Sequence, residues 1–434
     1  MSCKFLHPTS PPEVDFKVQD LFQLPATQNS IASSTTISVT PINAFDSKGS
    51  SPIEFLIPGA NSGFVDLNQI FLYMKVAVKY DDGSTPGTSS SIYPANQFGI
   101  SYLKSVEVFL NDVPVDSGPL NYSLSNHIGY MFGTSNSLKN GLATASGYYT
   151  DEDEFKERFK KSTNKIFDTY TRLSTPLFNQ EKLLISNVDV KIRIIPNDAK
   201  YYLMCSDSGE IAKLPYCELL ECYIVAKKCL LTPATFLAIE NKLQSDTAKY
   251  LMQSVVQRQH ILPANITSYS INSLQIGTLP DKILLLMQNN QYAGGNYEQD
   301  CYKFENFDLS SIALHINGVV SNKPYVCSFN KDGKAFPLVA RAFHDLHKIL
   351  DDSDQDGNSI SMLKYNKDST IFAFDLSTSY SDCSTILNPI ETGDVSIKLT
   401  FATALPAAVT CNILLAFSSV LEIDGARQII YKQL

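Results

Sequence analysis

One nine-residue stretch of the chain occurs twice, and no other feature of the sequence constrains the fold more. Residues 105–113 read SVEVFLNDV, and residues 311–319, 206 positions later, read SIALHINGV. Each copy alternates apolar and polar positions, which predicts a strand with one buried face. Each copy then reaches Asn-Asp or Asn-Gly, residues that tolerate the positive φ angles of a tight hairpin turn. Both copies therefore predict a strand that enters a hairpin.

Two further pairs of segments repeat in the same order along the chain. Residues 188–194, VDVKIRI, are matched by residues 393–399, GDVSIKL, at an offset of 205. A looser pair, LNQIFLYMK from Leu67 and PDKILLLMQ from Pro280, has an offset of 213, which we attribute to different loop lengths. Three repeats in one order predict two tandem copies of one β domain. A chain of 434 residues also exceeds the size at which one hydrophobic core usually stops growing.

The predicted organisation is an N-terminal arm over residues 1–28, a first domain over residues 29–230 and a second domain over residues 231–434. The arm begins MSCKFLHPTSPPEVD, which is rich in Pro and Ser and lacks periodicity, so we expect partners to order it. Strand-like segments rich in β-branched and aromatic residues fill both domains. Few helices are predicted, and two of them follow the repeated hairpins, so the helical insertion is also predicted to be duplicated. The predicted helices cover residues 121–132, 152–161, 233–241 and 336–350.

The fold class follows from the number and length of the strands. Many short antiparallel strands in a domain of about 200 residues must close or stack to hide their edges, which leaves sandwiches, barrels and jelly rolls. Helices that interrupt late loops favour the jelly roll over an immunoglobulin-type sandwich. The chain contains no tryptophan, so it lacks the Cys-Trp-Cys core of immunoglobulin domains. The residues alone therefore favour an all-β chain of two jelly rolls.

Charge and cysteine usage argue against several classes of function. A formal charge of −9 opposes a broad nucleic-acid-binding face, because such binding needs clustered Lys and Arg. No run reaches the roughly 18 apolar residues of a membrane helix, and the N-terminus lacks the apolar core of a signal peptide. Nine cysteines without a C-x-x-C pair are typical of buried thiols in a reducing compartment. Cys217, Cys222 and Cys229 share one strand-like region, which favours small apolar core residues over a metal cluster.

An acidic segment offers part of a calcium site. Asp352, Asp354 and Asp356 occupy positions 1, 3 and 5 of an EF-hand loop, and a glycine follows at position 6. Position 12, where a bidentate Glu should complete the coordination shell, is Leu363. An acidic surface turn is therefore the preferred interpretation. A calcium-regulated binding module built on the three aspartates is the alternative.

The histidines and the motif search also point away from catalysis. His344 and His347 lie three residues apart on a predicted helix and share a face, but a zinc site needs two more ligands at a recognised spacing. His315 lies in the repeated strand, where a metal-binding jelly roll of the cupin type would need two histidines and a Glu. No G-x-S-x-G, Walker, H-E-x-x-H or G-x-G-x-x-G motif occurs. We therefore predict no catalytic, cofactor-binding or metal-binding residues, no cofactor and no enzymatic activity.

Several stretches of the chain resemble the major capsid proteins of Polinton (Maverick) elements and their adintovirus-like relatives. They include SVEVFLNDV at the repeated hairpin and the segment from TIFAFDLS to the C-terminal strands. The resemblance is collinear from about Asp20 to Ile430, and its specificity lies in the whole set of stretches. The other stretches are DLFQLPATQNSI from Asp20, PIEFLIPGANSGFVDLNQIFLYMKV from Pro52, LLISNVDVKIRI from Leu183 and EIDGARQI from Glu422.

The resemblance implies a double jelly roll of two tandem eight-stranded β-sandwiches with a few short helices in loops. It further implies a major capsid protein whose homotrimers form pseudo-hexagonal capsomers that tile an icosahedral shell. The implied partners are further copies of the chain, neighbouring capsomers and a penton or minor capsid protein. The implied location is the virion, after assembly in the host cytoplasm or nucleus, with contacts to the genome side or to neighbours in the arm. The alternatives are a minor capsid protein, a host-domesticated structural protein and a double-jelly-roll glycan-acting enzyme, which would need a secretory signal.

Overall fold

A computed structural model of the chain shows a protein built mainly from antiparallel strands. Two predicted features lie largely outside the described residues, namely the N-terminal arm up to residue 26 and the acidic segment with Asp352, Asp354 and Asp356. The structure describes residues 27–43, 46, 48–49, 51–59, 63–116, 121–149, 152–321, 323–329, 336–350, 360–377 and 389–433.

The strands fall into two groups of ten along the described chain. The first group is β1 (Ile31–Val39), β2 (Ile53–Ile57), β3 (Gly63–Lys79), β4 (Tyr93–Pro94), β5 (Leu103–Leu110), β6 (Val113–Asp116), β7 (Ile166–Arg172), β8 (Val190–Pro196), β9 (Leu203–Met204) and β10 (Tyr216–Leu231). The second group is β11 (Ala248–Leu262), β12 (Ser268–Thr278), β13 (Lys282–Asn289), β14 (Leu309–Ile316), β15 (Val319–Val320), β16 (Tyr325–Val326), β17 (Ile371–Asp375), β18 (Thr392–Phe401), β19 (Val409–Ile423) and β20 (Ile429–Gln433).

Helices occupy the loops between these strands. The described helices are α1 (Phe98–Ser101), α2 (Tyr122–Gly133), α3 (Asn136–Asn140), α4 (Glu152–Lys161), α5 (Ala199–Tyr202), α6 (Ser208–Ile211), α7 (Pro233–Leu243), α8 (Asn290–Ala293), α9 (Ala340–Leu350), α10 (Met362–Asp368) and a 3₁₀ helix at Leu142–Ser146.

The two groups of strands form sheets with the same strand order. In the first group, sheet 1A has the order β1-β10-β3-β7 and sheet 1B the order β2-β8-β5-β6. In the second group, sheet 2A has the order β11-β19-β13-β17 and sheet 2B the order β12-β18-β14-β15. Matching these eight strands one for one makes the two orders identical, so each group contains an eight-stranded jelly roll. Of the other strands, β4 pairs with β9, β16 with β14 and β20 with β19. The predicted all-β double jelly roll is therefore confirmed, and we call the two groups the first roll and the second roll.

The repeated hairpins are present at the predicted positions. β5 enters its turn at Asn111 and Asp112, with φ angles of 47° and 62°. β14 enters its turn at Asn317 and Gly318, with φ angles of 52° and 78°. Positive φ at both central positions is the geometry that Asn, Asp and Gly tolerate best in two-residue hairpin turns.

The second repeat lies next to the first, which explains why both occur together. β8 pairs with β5, and β18 pairs with β14 in the corresponding register. Asn111 Oδ1 accepts a hydrogen bond from the backbone N–H of Asp189 at 2.9 Å. Asn317 Oδ1 accepts one from the N–H of Asp394 at the same distance. Each turn asparagine thus holds the start of the neighbouring strand, so both repeated segments belong to one structural unit.

The third repeat forms the centre of each A sheet. β3 and β13 both lie in the interior of their sheets, with a strand on either side. Their aligned inward-facing residues have exposures of 1% or less. These residues are Ile70, Leu72 and Met74 in β3 and Ile283, Leu285 and Met287 in β13.

Each of the two hydrophobic cores includes side chains from the other roll. The first core contains Tyr250 and Leu421 from the second roll. The second core contains Ile128 and Phe132 from α2, which lies between β6 and β7 of the first roll. Helix α7 follows β10 and packs on the first core, so this core includes residues beyond position 230. The predicted boundary between residues 230 and 231 stays a prediction.

Three predicted helices match α2, α4 and α7 within two residues at every end. The helix predicted from Phe336 begins only at Ala340, because Leu338 forms an antiparallel bridge with Ser328 and is extended. The helical insertion is duplicated in position, since α2 and α9 both follow the repeated hairpins. Their packing differs, because α2 enters the core of the other roll whereas α9 packs on β17 of its own roll.

Gly59 lies where β2 ends, in contact with the backbone of the first roll. A Cβ atom there would lie 2.4 Å from N, C and O of Val188. The Gly59 N–H donates to Asp189 Oδ1 at 2.6 Å, and its carbonyl accepts from the Asn187 N–H at 2.9 Å. Because backbone atoms cannot move aside cheaply, Gly59→Ala should lower the free energy of unfolding by about 2–3 kcal/mol. Thermal melting measures this, and Gly87→Ala, with open space around its Cβ, is the control.

Candidate assembly surfaces

The turn between β19 and β20 joins the second roll to the first through Arg427. This side chain is 12% exposed, and its Nη2 lies 2.5 Å from Glu240 Oε1 of α7. Its Nε donates to the Ser186 carbonyl at 2.9 Å. Its own carbonyl accepts from Asn111 Nδ2 at 3.2 Å, at the tip of the β5–β6 hairpin. The EIDGARQI stretch therefore forms a clamp between the rolls.

The first residues of β11 form a second part of the join. Tyr250 is 2% exposed, and its hydroxyl donates to the Leu183 carbonyl at 3.0 Å and accepts from the Ile185 N–H at 3.1 Å. Burial raises the pKa of Tyr250 to about 12, so this hydroxyl keeps its proton at neutral pH. Gln180 donates to the Leu251 carbonyl beside it.

A chain of buried amides forms the third part of the join. Gln257 Oε1 accepts from the Asn121 N–H at the start of α2, at 3.0 Å. Gln257 Nε2 donates to Asn412 Oδ1 at 3.0 Å, and Asn412 Nδ2 donates to Gln288 Oε1 at 2.7 Å. Gln288 in turn donates to the Cys301 carbonyl. These groups line a cavity of about 210 Å³, and their mutual bonds orient α2 on sheet 2A.

Helix α2 lies on the outer face of sheet 2A together with α9, which packs on β17. Leu286 and Leu414 lie on the face opposite the inward residues of β13, yet they are 0% and 3% exposed. Ile371 on β17 pairs with Leu286 and is 0% exposed. These three residues share one hydrophobic cluster with the α2 side chains Leu124, Ile128, Met131 and Phe132.

The corresponding face of sheet 1A carries aromatic rings, and the most exposed of them, Tyr170, is 38% exposed. Phe71 stacks on Tyr170 with ring centroids 4.9 Å apart, and Tyr73 stacks on Tyr223 at 4.6 Å. We call these four residues the aromatic patch. Tyr170 pairs with Tyr73, as Ile371 pairs with Leu286 in the second roll.

Two acidic side chains and a groove adjoin the aromatic patch. Burial raises the pKa of Tyr73, with Asp168 and Glu221 adding to the shift through their negative charge. Both carboxylates are exposed on the same sheet. Phe71 and Tyr170 also line a groove of about 990 Å³ between the rolls.

A second exposed apolar surface lies at the edge of sheet 2B. Among the described residues, β15 and β16 pair only with β14. Five apolar side chains on and beside this edge are between 45% and 82% exposed. We call them the edge patch, which comprises Val319, Val320, Val326, Phe336 and Leu338.

The histidines that were considered as metal ligands lie apart from one another in the structure. His344 Nδ1 lies 3.3 Å from Asp345 Oδ1, and His347 Nδ1 lies 2.9 Å from the Phe343 carbonyl. His315 lies opposite Val320 in sheet 2B. The described part of the chain contains no group of three or more His, Cys, Asp or Glu residues that could hold a metal ion.

The three cysteines of β10 are core residues, as the sequence predicts. Cys217, Cys222 and Cys229 are all buried. Burial raises the pKa of Cys222 to about 12 and raises the pKa of Cys217 well above its usual value, so these thiols are protonated and unreactive at neutral pH. Within the described ranges, no helix is long and apolar enough to span a membrane.

The assembly surfaces themselves are not named by the sequence interpretation. The third repeat indicates the position of one of them, the aromatic patch, because it aligns Phe71 and Tyr73 with Leu284 and Leu286. The edge patch has no such signal, since its members become neighbours only through the β14–β16 pairing and the Ser328–Leu338 bridge.

The fold defines the class of this molecule as a double jelly roll, and solved virus capsid structures share it. The chain matches the cryo-EM structure of the Sputnik virophage with a TM-score of 0.62 and 11% identity, covering 100% of this chain and 94% of that one. It matches a PBCV-1 virus capsid model with a TM-score of 0.60 and 12% identity, covering 95% and 99%. The mavirus major capsid protein gives 0.53 and 10%, covering 98% and 97%.

Sequence comparison reaches a different relative. An uncharacterised protein of Caenorhabditis elegans is 20% identical over 418 residues, covering 93% of this chain and 98% of its own length. No family model matches the chain. At these identities the similarities establish a shared fold.

Proposed function

We propose that the chain is a major capsid protein whose homotrimers form pseudo-hexagonal capsomers of an icosahedral viral shell. The observation that carries the proposal is the tandem pair of jelly rolls with one strand order. Three copies of such a chain present six similar walls, which suits a hexagonal lattice. The exposed aromatic and edge patches supply apolar area for association, and exposed apolar patches commonly mark interaction sites.

The proposed lineage is that of the Polinton (Maverick) and adintovirus-like elements. Its support is the collinear set of stretches from Asp20 to Ile430. The proposed location is the virion, after assembly in the host cytoplasm or nucleus. The proposed partners are neighbouring capsomers and a penton or minor capsid protein, with genome-side or neighbour contacts made by Met1 to Asp20 of the arm.

A host-domesticated structural protein is the second candidate, and the Caenorhabditis elegans relative favours it. Such a protein would keep the trimer and lose the shell. A role as an enzyme has less support, because the solved capsids that share the fold are structural proteins. The minor capsid alternative also has less support, because we expect a penton protein to contain one jelly roll and this chain contains two.

Mass photometry and negative-stain electron microscopy of the purified full chain test the proposal. The expected particle has a mass of about 144 kDa, three times the 48.1 kDa of one chain, and a hexagonal outline. A permanent trimer should bury more than about 2,000 Å² in its contacts and survive dilution. A stable monomer over the accessible concentration range would contradict the proposal. Trimers that never form shells under any assembly condition would favour the domesticated protein.

A further inference from the structure

The cavity of about 210 Å³ between the two rolls is lined mainly by polar side chains. Four of the amide side chains in its lining are at most 8% exposed, and they come from both rolls. These are Asn197 of the first roll and Gln257, Gln288 and Asn412 of the second. A polar cavity of this size has room for about seven waters at about 30 Å³ each, so it is filled by solvent or by a ligand.

The three amides of the second roll keep unused hydrogen-bonding groups. A primary amide offers two N–H donors and an oxygen with two lone pairs. In the series from Gln257 through Asn412 to Gln288, the bonds described above use one N–H and one lone pair of each amide. One N–H and one lone pair of each amide therefore remain for a further partner. A ligand that brings both donors and acceptors satisfies these groups together.

The wall of the cavity at Tyr201 and Gly294 is fixed by contacts between the rolls. The Tyr201 hydroxyl donates to the Ala293 carbonyl at 3.0 Å. Next to this bond, Gly295 has a φ angle of 82°, and a Cβ atom there would lie 2.8 Å from Cδ2 of Tyr201. Because glycine permits both the angle and the close approach, the loop lies directly on the first roll. The cavity is thus preformed, and a ligand need not order this wall in order to bind.

The charges around the cavity balance each other. Among the lining residues that the structure describes, Lys104 and Asp198 are the two charged ones, and both are exposed. Asp198 also lies 3.9 Å from the Lys200 ammonium. The buried part of the lining therefore offers no counter-charge, and burying an ion without one is strongly disfavoured. An apolar ligand is disfavoured as well, because it would leave the amide groups unpaired.

We propose that this cavity binds a small neutral molecule rich in hydroxyl groups, a polyol or a monosaccharide. Each hydroxyl group both donates and accepts hydrogen bonds, which matches the unused N–H and oxygen of each amide. The ligand displaces the waters of the cavity and contacts both rolls, so it stabilises the join between them by mass action. This binding function goes beyond the proposed capsid role and does not require the trimer.

Saturation-transfer NMR and isothermal titration of the full chain with glucose and with myo-inositol test the proposal. A ligand of this size in a preformed cavity is expected to saturate one site with a Kd of about 1 mM. Two comparison ligands define the chemistry, since glucuronate adds a negative charge and cyclohexanol keeps a single hydroxyl on an apolar ring. Each should bind about tenfold more weakly or worse than the better of the two neutral ligands.

Two variants locate the site. Gln288→Met keeps the length of a side chain that is 4% exposed and removes its amide. Gln259→Leu removes an exposed amide from the lining, and Gln253→Leu is its control, because Gln253 is exposed on the same strand outside the lining. Thermal melting without ligand first establishes that each variant is folded. The Kd should then rise about fivefold or more in Gln288→Met and Gln259→Leu and stay unchanged in the control.

The outcomes separate a ligand site from a cavity that holds only water. A titration with neither glucose nor myo-inositol reaching saturation would overturn the proposal, and so would equally tight binding of glucuronate or cyclohexanol. Wild-type affinity in the folded lining variants would overturn it too. Sugars also stabilise proteins by exclusion from their surface, but that effect grows with concentration without saturating, so it is told apart from binding. None of these results depends on the mass of the particle, which tests the proposed capsid function by itself.

Discussion

Replacing Arg427 with Met is expected to loosen the two rolls from each other and to lower the free energy of unfolding by about 2–3 kcal/mol. The substitution removes the ion pair to Glu240 and the hydrogen bond to the Ser186 carbonyl, while it keeps most of the apolar stem. Glu240 would then lack its cation in a site where its side chain is only 30% exposed. Because exposure screens part of the charge, we place the loss below that of a fully buried pair.

Chemical denaturation followed by circular dichroism measures this loss, and two further variants define its origin. Arg427→Lys keeps the charge but lacks the planar fork that serves Glu240 and Ser186 together, so it should recover only part of the stability. Glu240→Gln added to Arg427→Met should cost less than the sum of the two single changes, because both remove the same pair. Fully additive effects, or an Arg427→Met variant as stable as the wild type, would show that the clamp does not hold the rolls together.

Much of the fold is predictable from the sequence because the repeats coincide with its most constrained contacts. A two-residue turn with positive φ angles restricts residues 111–112 and 317–318 to Asn, Asp or Gly, and the strands beside them alternate. The central strands β3 and β13 keep the same inward residues for the same reason, since a shift by one position would expose the core face. The sequence therefore predicts the strands, their duplication and the fold class.

The short helices and the packing of the insertions are not predictable in this way. Helices of four to seven residues, such as α1 and α10, span too few turns to show a helical period. The exchange of α2 into the second core depends on contacts between residues more than a hundred positions apart, as in the bond from Asn121 to Gln257. The assembly surfaces are missed for the same reason, since exposure is a property of the folded chain.

The C-terminal EIDGARQI motif forms the turn that carries Arg427. The sequence of the EIDGARQI motif does not by itself predict which residues the motif contacts. In the fold, Arg427 has a φ angle of 63°, in a turn where the Asp424 carbonyl accepts from its N–H at 3.0 Å. This turn aims the guanidinium at α7 of the first roll. The motif thus serves the join between the rolls.

Lowering the pH is expected to weaken the packing of α2 on the second roll, because α2 carries the buried side chain of His127. The His127 ring stacks on Tyr302 with centroids 4.3 Å apart. Its Nδ1 is shielded from solvent and has no hydrogen-bond partner among the described residues. Burial lowers the pKa of His127 to about 3, and the nearby Lys364 and Lys139 lower it further by their positive charge. The folded chain therefore resists protonation at this site.

The sign of the effect follows from linkage between protonation and folding. Above a pH of about 6.5, the usual pKa of histidine, neither the folded nor the unfolded chain is protonated at this site, and the full stability is present. Below that pH the unfolded chain takes up a proton that the folded chain refuses, so stability falls by about 1.4 kcal/mol per pH unit until the folded pKa of about 3 is reached. By pH 5 the loss should be about 2 kcal/mol.

His127→Phe keeps an aromatic ring on Tyr302 and removes the titrating nitrogen, so its stability should fall less steeply than that of the wild type between pH 6.5 and pH 4. Denaturation midpoints measured across this range give the two slopes. His344→Gln, at an exposed histidine of α9 outside the join, is the matched variant for the removal of one imidazole. Hydrogen exchange should localise the acid effect to the amides of α2, because this helix carries His127 into the second core. Equal slopes in the wild type and His127→Phe, or exchange that rises everywhere except in α2, would show that the acid sensitivity of the protein lies elsewhere.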